Sequence, residues 1–316
     1  MQACFLFPGQ GSQFPGMAKD LYEASAAVRE LFQEASEVTS MDLKAILFDS
    51  SEEELKRTDR TQPAITLANL AARLVMQQEA GIESAGAAGH SLGEFSAMVD
   101  AGIVATADCF RLVKARGELM EAAGQSLRED TEDGAPGMAA VIGLSREEVE
   151  AGLAKVDGRV YVANHNSPTQ TVIAGEAEAL DAAEPILTEA GAGRYIRLKV
   201  SGPFHTPLLG AAGEKFAAVV ATCDFHDPTK AFFANVTGAP VGSGAEAKEC
   251  VIKQITSPVS WVTEESAIFA TGFDAYYEVG PGTVLSGLWR AFTREVKCRP
   301  AGKLDQIRAV GEDGAS

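Results

Sequence analysis

Ser91 lies in the string Gly89-His90-Ser91-Leu92-Gly93-Glu94, a G-x-S-x-G pattern. The flanking glycines carry no Cβ, so the chain can pass from strand to helix through a turn too tight for other residues. A serine hydroxyl raised on such a turn becomes a nucleophile when a base takes its proton and backbone N–H groups receive the oxyanion. Four histidines compete for the role of base, at positions 90, 165, 205 and 226. His90 is inside the serine string, while His165 in ANHNSP and His226 in DFHDP read as surface positions. His205 falls between a strand and a helix N-terminus, in the kind of loop where α/β sheets carry their sites. It is the best candidate to accept the Ser91 proton.

Arg116 adds a third kind of chemistry. At about 100° per residue it shares a helix face with Leu112, Val113, Leu119 and Met120. Arg111, Lys114, Glu118 and Glu121 lie on the opposite side. A guanidinium projecting from an apolar stripe is costly unless it is paired. Two readings fit: a structural salt bridge or snorkelling side chain, and a buried cation awaiting an anionic ligand such as a carboxylate. The glycine-rich PGQGSQ at 8–13 follows the first strand and fails as a dinucleotide fingerprint, because Phe14 stands where the third glycine belongs. Such a turn can instead aim the Gln10 N–H at a reacting carbonyl, beside the N–H of Leu92 that follows the nucleophile.

These residues need a scaffold, and the periodicity predicts an α/β one. ACFLF at 3–7 reads as a buried strand, and ESAGAAGH before Ser91 as a strand by context although Ala and Gly are poor strand formers. QPAITLANLAARLVMQQEAG reads as a helix with Pro63 near its start and Gly81 past its end. SLGEFSAMVDAG reads as a helix closed by Gly102. The polar run at 124–136 reads as a linker. After it comes β-α-β-β-α-β, with Ser145 and Glu148 forming a capping box on the first helix, the order of a ferredoxin-like unit. We therefore expect a ferredoxin-like subdomain at 136–200, inserted in a larger α/β domain made of 1–135 and 201–316. Thr206 and Pro207 read as the N-cap and first residue of the next helix, and the final GEDGAS as a disordered tail.

Composition narrows the function classes. The chain has 316 residues and a formal net charge of −17, which disfavours binding to nucleic acid. No apolar run reaches the length of a membrane span, and the N-terminal residues lack the pattern of a signal peptide. Five widely spaced cysteines, with no C-x-x-C pair, argue against a disulfide framework or a zinc site and suit a reducing, cytoplasmic location. We expect no metal, no cofactor, no nucleic acid and no membrane partner.

Several motifs occur together and in order: FPGQGSQ, GHSLGE, ARG at 115–117, ANHNSPTQTVIAG, GPFHT, NVTG, KQITSPVSW and YEVGPG. Over nearly the whole chain the sequence resembles the malonyl-CoA:acyl-carrier-protein transacylases and the discrete acyltransferases of polyketide synthases. The resemblance implies a hydrolase-like large domain with a parallel-rich sheet. It also implies transfer of a malonyl group from coenzyme A to holo acyl carrier protein, in fatty-acid or polyketide synthesis, by a monomer. It places the nucleophile on Ser91, the catalytic histidine on His205, the carboxylate-binding arginine on Arg116 and the oxyanion donors on the N–H groups of Gln10 and Leu92. A backbone carbonyl near Gln254 would orient His205, completing a Ser–His dyad. Leu92 and Phe204 resemble the malonyl-selecting members, Phe204 by crowding an added methyl group; the plainer reading is that Phe204 packs on the core. A serine thioesterase or esterase is the rival reading, and a non-catalytic interaction module a second. Arg116 discriminates against the first, since a simple acyl hydrolase gains nothing from a buried cation. For the acidic carrier we expect a local basic rim drawn from Lys199, Arg194, Arg197, Lys114 and Arg111.

Overall fold

A computed structural model describes residues 1–129 and 134–314. Its larger sheet has six strands, β1 (Ala3–Phe7), β2 (Ser84–Gly89), β7 (Ala231–Ala234), β8 (Ala239–Pro240), β9 (Ala275–Glu278) and β10 (Cys298–Pro300), in the order β10-β9-β1-β2-β7-β8. Every pairing is parallel except that of β8, a two-residue edge strand antiparallel to β7. All five residues of β1 are buried, as a central parallel strand covered on both faces requires. The loops leaving the carboxyl ends of β1, β2 and β7 carry Gln10, Ser91 and Asn235, so three distant segments converge at one end of the sheet.

The smaller sheet is antiparallel, with β3 (Gly137–Ile142), β4 (Val160–Ser167), β5 (Gln170–Gly175) and β6 (Arg194–Arg197) in the order β4-β5-β3-β6. The helices Arg146–Leu153 and Ala177–Glu189 complete the β-α-β-β-α-β order of the ferredoxin-like arrangement, and Ser145 and Glu148 make the expected capping box. Strand alternation divides the sheet's two faces. Ala139, Val141 and Ile173 pack with Leu180 and Leu187 of the subdomain's own helices. Met138, Ala140, Val172 and Ala174 point the other way and join the main core. One face thus holds the subdomain together while the other covers the end of the large sheet.

Several local expectations need correction. The helix Thr106–Glu129 runs on through residues 124–129, half of the stretch read as a linker. Gly124 lets it lie against the Ser201 carbonyl, where a Cβ would come within 2.1 Å of the oxygen, and partly buried Leu127 packs on the core beside it. Of the rest of the expected linker, residues 134–136 form no helix or strand, as expected, and 130–133 lie outside the described residues. The helix around Pro63 begins five residues earlier, at Thr58, and Pro63 sits within it; Gly81 closes it in the left-handed conformation as expected. Strand β4 extends through ANHNS, because Val259 pairs alongside it: Val259 N–H donates to the Ala163 carbonyl and His165 N–H to that of Val259, each at 2.9 Å. His165 is therefore a half-buried strand residue. Thr206 and Pro207 do stand at the N-cap and first position, but of a short 3₁₀ turn, Pro207–Leu209, that precedes the helix Gly210–Val220, and the Thr206 hydroxyl donates to the Pro203 carbonyl at 2.7 Å instead of accepting from the turn. The tail begins as the helix Leu304–Gly314, held by buried Ile307 and Val310; residues 315–316 lie outside the described residues.

Candidate active site

Ser91 has φ +50°, the left-handed region that residues with side chains rarely occupy. The surroundings enforce it. A Cβ on Gly93 would lie 1.9 Å from the Phe7 carbonyl oxygen, and one on Gly89 would lie 2.1 Å from the carbonyl carbon of Gly93, so both glycines are required by close backbone approach. Asn235, at the end of β7, accepts the Ser91 N–H through Oδ1 at 2.6 Å and donates through Nδ2 to the Gly89 carbonyl at 2.7 Å. The turn is thus tied at both ends by one side chain from a neighbouring strand, which offsets a backbone cost of roughly 1–3 kcal/mol.

The Ser91 hydroxyl lies 2.7 Å from Nε2 of His205, and Nδ1 of His205 lies 2.9 Å from the Gln254 carbonyl. A carbonyl only accepts, so Nδ1 carries the proton and Nε2 is left as the acceptor facing Ser91. His205 is 4% exposed and also has a positive φ, +61°. Burial, reinforced by the charge of Arg116, pushes its imidazole down to about 3, so it is neutral at physiological pH.

Arg116 is 1% exposed, which removes the snorkelling reading, and among the described residues it forms no ion pair. Its Nη2 donates to Ser91 Oγ at 3.1 Å and to Gln254 Oε1 at 2.9 Å, and its guanidinium lies 5.5 Å from the centre of the Phe95 ring. Its Nε, also buried, has no acceptor among the described residues. Burial lowers the guanidinium to about 10, partly offset by the charge of Glu94, so it remains a cation. A salt bridge is thus absent from the environment that would most demand one.

Gln254 does more than supply a carbonyl. Its Nε2 donates to the Ser91 carbonyl at 3.0 Å and to Glu94 Oε2 at 2.8 Å. Glu94 also accepts the Asn235 N–H at 3.1 Å, and Asn235 Nδ2 donates to Glu264 at 2.8 Å. Burial raises Glu94 to about 7 and Glu264 well above the carboxylate range. Asn235, Glu94 and Glu264 were not singled out from sequence. Asn235 stands at the end of the FFAN strand and Glu94 within GHSLGE, but an acidic residue in a helix's first turn is common and carries no special signal.

A cavity of about 160 Å³ gathers these groups. Gln10, Ser91, Leu92, Arg116, Phe204 and His205 line one side. The N–H groups of Gln10 and Leu92 have no hydrogen-bond acceptor among the described residues. Met138, Val172 and Leu198 from the small-sheet side form an apolar wall opposite, with Asn164 and Asn166. His90 also faces the cavity, held by Asn166 Oδ1 at 2.7 Å from its Nε2 and by the edge of Trp261. Phe204 combines both sequence readings: it is 5% exposed within the main core and presents a side to the cavity. Of the expected basic rim, Arg111, Lys114 and Arg197 are ion-paired with Asp108, Glu118 and Asp181. His226 lies away from the cavity.

Ser91, His205, Arg116, Gln254, Gln10, Leu92 and Phe204, spread over more than two hundred residues of chain, therefore meet at one place. The arrangement can activate a hydroxyl, hold an oxyanion and bind a carboxylate within a few ångströms. Comparison with known proteins points the same way. Residues 4–306 match the acyl transferase domain family. A malonyl CoA-acyl carrier protein transacylase of Bacillus subtilis is 40% identical, over 93% of this chain and 91% of that protein. The structure of such a transacylase from Coxiella burnetii superposes with a TM-score of 0.92 at 33% identity, covering 99% of this chain and 97% of that one. A malonyl-transacylase solved in complex with its type II polyketide synthase acyl-carrier protein superposes equally well, at 0.92 and 35% identity, covering 99% and 100%. The chain belongs to the acyltransferase family of the malonyl CoA-acyl carrier protein transacylases.

Proposed function

We propose that this acyltransferase moves a malonyl group from coenzyme A to the phosphopantetheine thiol of an acyl carrier protein through an ester on Ser91. The observation that carries the reading is Arg116, a buried cation with no carboxylate partner among the described residues, 3.1 Å from the Ser91 hydroxyl. A free malonyl carboxylate is the ligand that such a group lacks. Binding it would fix the thioester carbonyl against the N–H groups of Gln10 and Leu92. It would also neutralise the charge that adds to burial in depressing His205, so an acidic acyl group strengthens the base that activates its own acceptor.

In the first half-reaction Ser91 Oγ attacks the thioester carbonyl and its proton passes to Nε2 of His205. The tetrahedral oxyanion collapses, the C–S bond breaks, and coenzyme A leaves as the thiol with the proton from His205. In the second half the carrier thiol gives its proton to His205 and attacks the malonyl ester, and Ser91 leaves with that proton restored. The Gln254 carbonyl holds the histidine tautomer throughout. The dyad needs no metal or further cofactor, since coenzyme A is itself a substrate. No helix among the described residues is long and apolar enough to cross a membrane. We assign a cytoplasmic location on the cysteine pattern and a monomeric state on the family resemblance.

Intact-protein mass spectrometry tests the reading directly. Malonyl-CoA should add one malonyl group to the wild type and none to Ser91→Ala, and holo carrier protein should discharge the adduct. Rapid release of free malonate without transfer to carrier would assign a thioesterase instead.

A further inference from the structure

Glu94 is fully buried in the first turn of the helix Gly93–Asp100, three residues after the nucleophile, and neither half-reaction uses it. A carboxylate in such a place is costly unless a cation balances it. Its hydrogen bonds lead to one. Glu94 Oε2 accepts from Gln254 Nε2 at 2.8 Å, and Oε1 of the same amide accepts from Arg116 Nη2 at 2.9 Å. The amide fits in one orientation only. Turned over, its oxygen would face the Ser91 carbonyl and the Glu94 carboxyl, and its NH₂ the guanidinium. Cation and carboxylate thus form an ion pair with one amide between them. The charge of Glu94 partly offsets the burial of Arg116, and the charge of Arg116 acts back on Glu94.

The bridge leaves the cation open. In a direct pair the carboxylate would occupy guanidinium N–H groups that a ligand needs. Here Nη2 carries every hydrogen bond that Arg116 makes among the described residues, and Nε and Nη1 have none.

A malonyl carboxylate on Arg116 sets two anions against one cation in a buried site. Like charges held that close favour the neutral form of one of them. The malonyl group keeps its charge because it holds the guanidinium directly. Glu94, raised by burial to about 7, is the group ready to give its charge up. Its Oε2 already accepts from Gln254 and from the Asn235 N–H, whereas Oε1 is buried without a partner among the described residues. The other titratable groups around it stay neutral or start elsewhere. Glu264, one Asn235 amide away, is kept protonated by burial, the Cys250 thiol is pushed up to about 11, and Glu265, which faces Glu264, is raised to about 8. His205, at about 3, remains neutral.

We propose, on the transacylase reading, that Glu94 is an exchangeable counter-charge for Arg116: it balances the guanidinium through the Gln254 amide and takes a proton from solvent onto Oε1 when the malonyl carboxylate takes over that balance. Glu94 acts on the acyl group only through Gln254 and Arg116, as a positioning residue. The site thereby accepts an acidic acyl group without a surplus anion and leaves the cation compensated when that group departs.

Calorimetric titration with malonyl-CoA at pH 7, in two buffers of different protonation enthalpy, reads the protons taken up. A rise of one unit at Glu94 corresponds to about 0.4 proton per malonyl group, and acetyl-CoA should cause no uptake. Glu94→Gln should still form the malonyl ester, more slowly, with the uptake lost. In Ser91→Ala, which binds without reacting, the ratio of affinities for malonyl-CoA and acetyl-CoA should fall about tenfold between pH 6 and 9, and it should stay level when Glu94→Gln is added. Equal uptake with both thioesters in the wild type would overturn the proposal without requiring any variant to fold. So would uptake that survives Glu94→Gln. A malonyl ester formed without proton uptake would remove the role of Glu94 and leave the transacylase reading standing. Uptake on binding of malonyl-CoA to Ser91→Ala, with no ester in the wild type, would do the reverse.

Discussion

The two walls of the cavity are built on different principles. The large-sheet wall is polar, buried and tied by cross-links: Asn235, Gln254 and Glu94 between them hold Ser91, Arg116 and the serine turn through six hydrogen bonds of 2.6–3.1 Å. The small-sheet side, Met138, Val172 and Leu198, presents apolar side chains, two of them placed there by strand alternation. A polar network loses its geometry when one member is removed, because each partner left behind is a buried, unpaired group. An apolar wall changes volume in small steps. The first wall therefore governs whether the reaction runs and whether the acyl group must carry a carboxylate, and the second, facing Phe204, how large an acyl group fits.

The largest expected effect lies on the polar wall. His205→Ala should slow acylation of Ser91 by about 10²–10⁴-fold, measured as the rate of adduct formation after rapid mixing. A loss below tenfold would mean that another group takes the Ser91 proton. Arg116→Ala should cut the preference for malonyl-CoA over acetyl-CoA by roughly 10–100-fold, the worth of hydrogen bonds to a charged group, in a competition between the two thioesters. An unchanged preference would remove the distinction drawn between the walls, since the cation would then be structural.

The apolar wall should respond more gently. Met138→Ala, and Phe204→Leu on the opposite side, should raise the ratio of methylmalonyl to malonyl transfer by up to about tenfold, the effect of a methylene-sized change in a pocket. Larger effects on malonyl transfer itself than on this ratio would show that the wall also positions the reacting groups. The smallest effect concerns stability. His205 is held at about 3 against an ordinary 6.5, so the unfolded chain binds the extra proton between those values. The stability it contributes is complete above 6.5 and is lost as pH falls toward 3, about 1.4 kcal/mol at one unit below 6.5. His205→Asn should flatten that part of the curve in urea titrations between pH 7 and 5; an unaltered slope would place the acid sensitivity elsewhere.

Much of this is legible in the sequence. The serine turn, the β-α-β-β-α-β order, the Ser145 capping box and the apolar face bearing Arg116 all follow from spacings of a few residues, where local sterics and helix or strand periodicity act. The expectations that failed are also local, but other segments overrode them. Polar residues 124–129 stay helical because Gly124 docks on Ser201, and ANHNS remains a strand because Val259 pairs with it.

The amino-acid sequence alone thus determines which groups are available: a serine on a strained turn, a loop histidine, and an arginine that must be buried. Packing determines what those groups become. Arg116 reaches Ser91 across 25 positions and Gln254 across 138, and Asn235 reaches Ser91 across 144. Such contacts leave no periodic trace in the chain. Whether a buried cation is paired, whether an imidazole is neutral and whether a carboxyl keeps its proton depend on which distant atoms surround it and how much water they exclude.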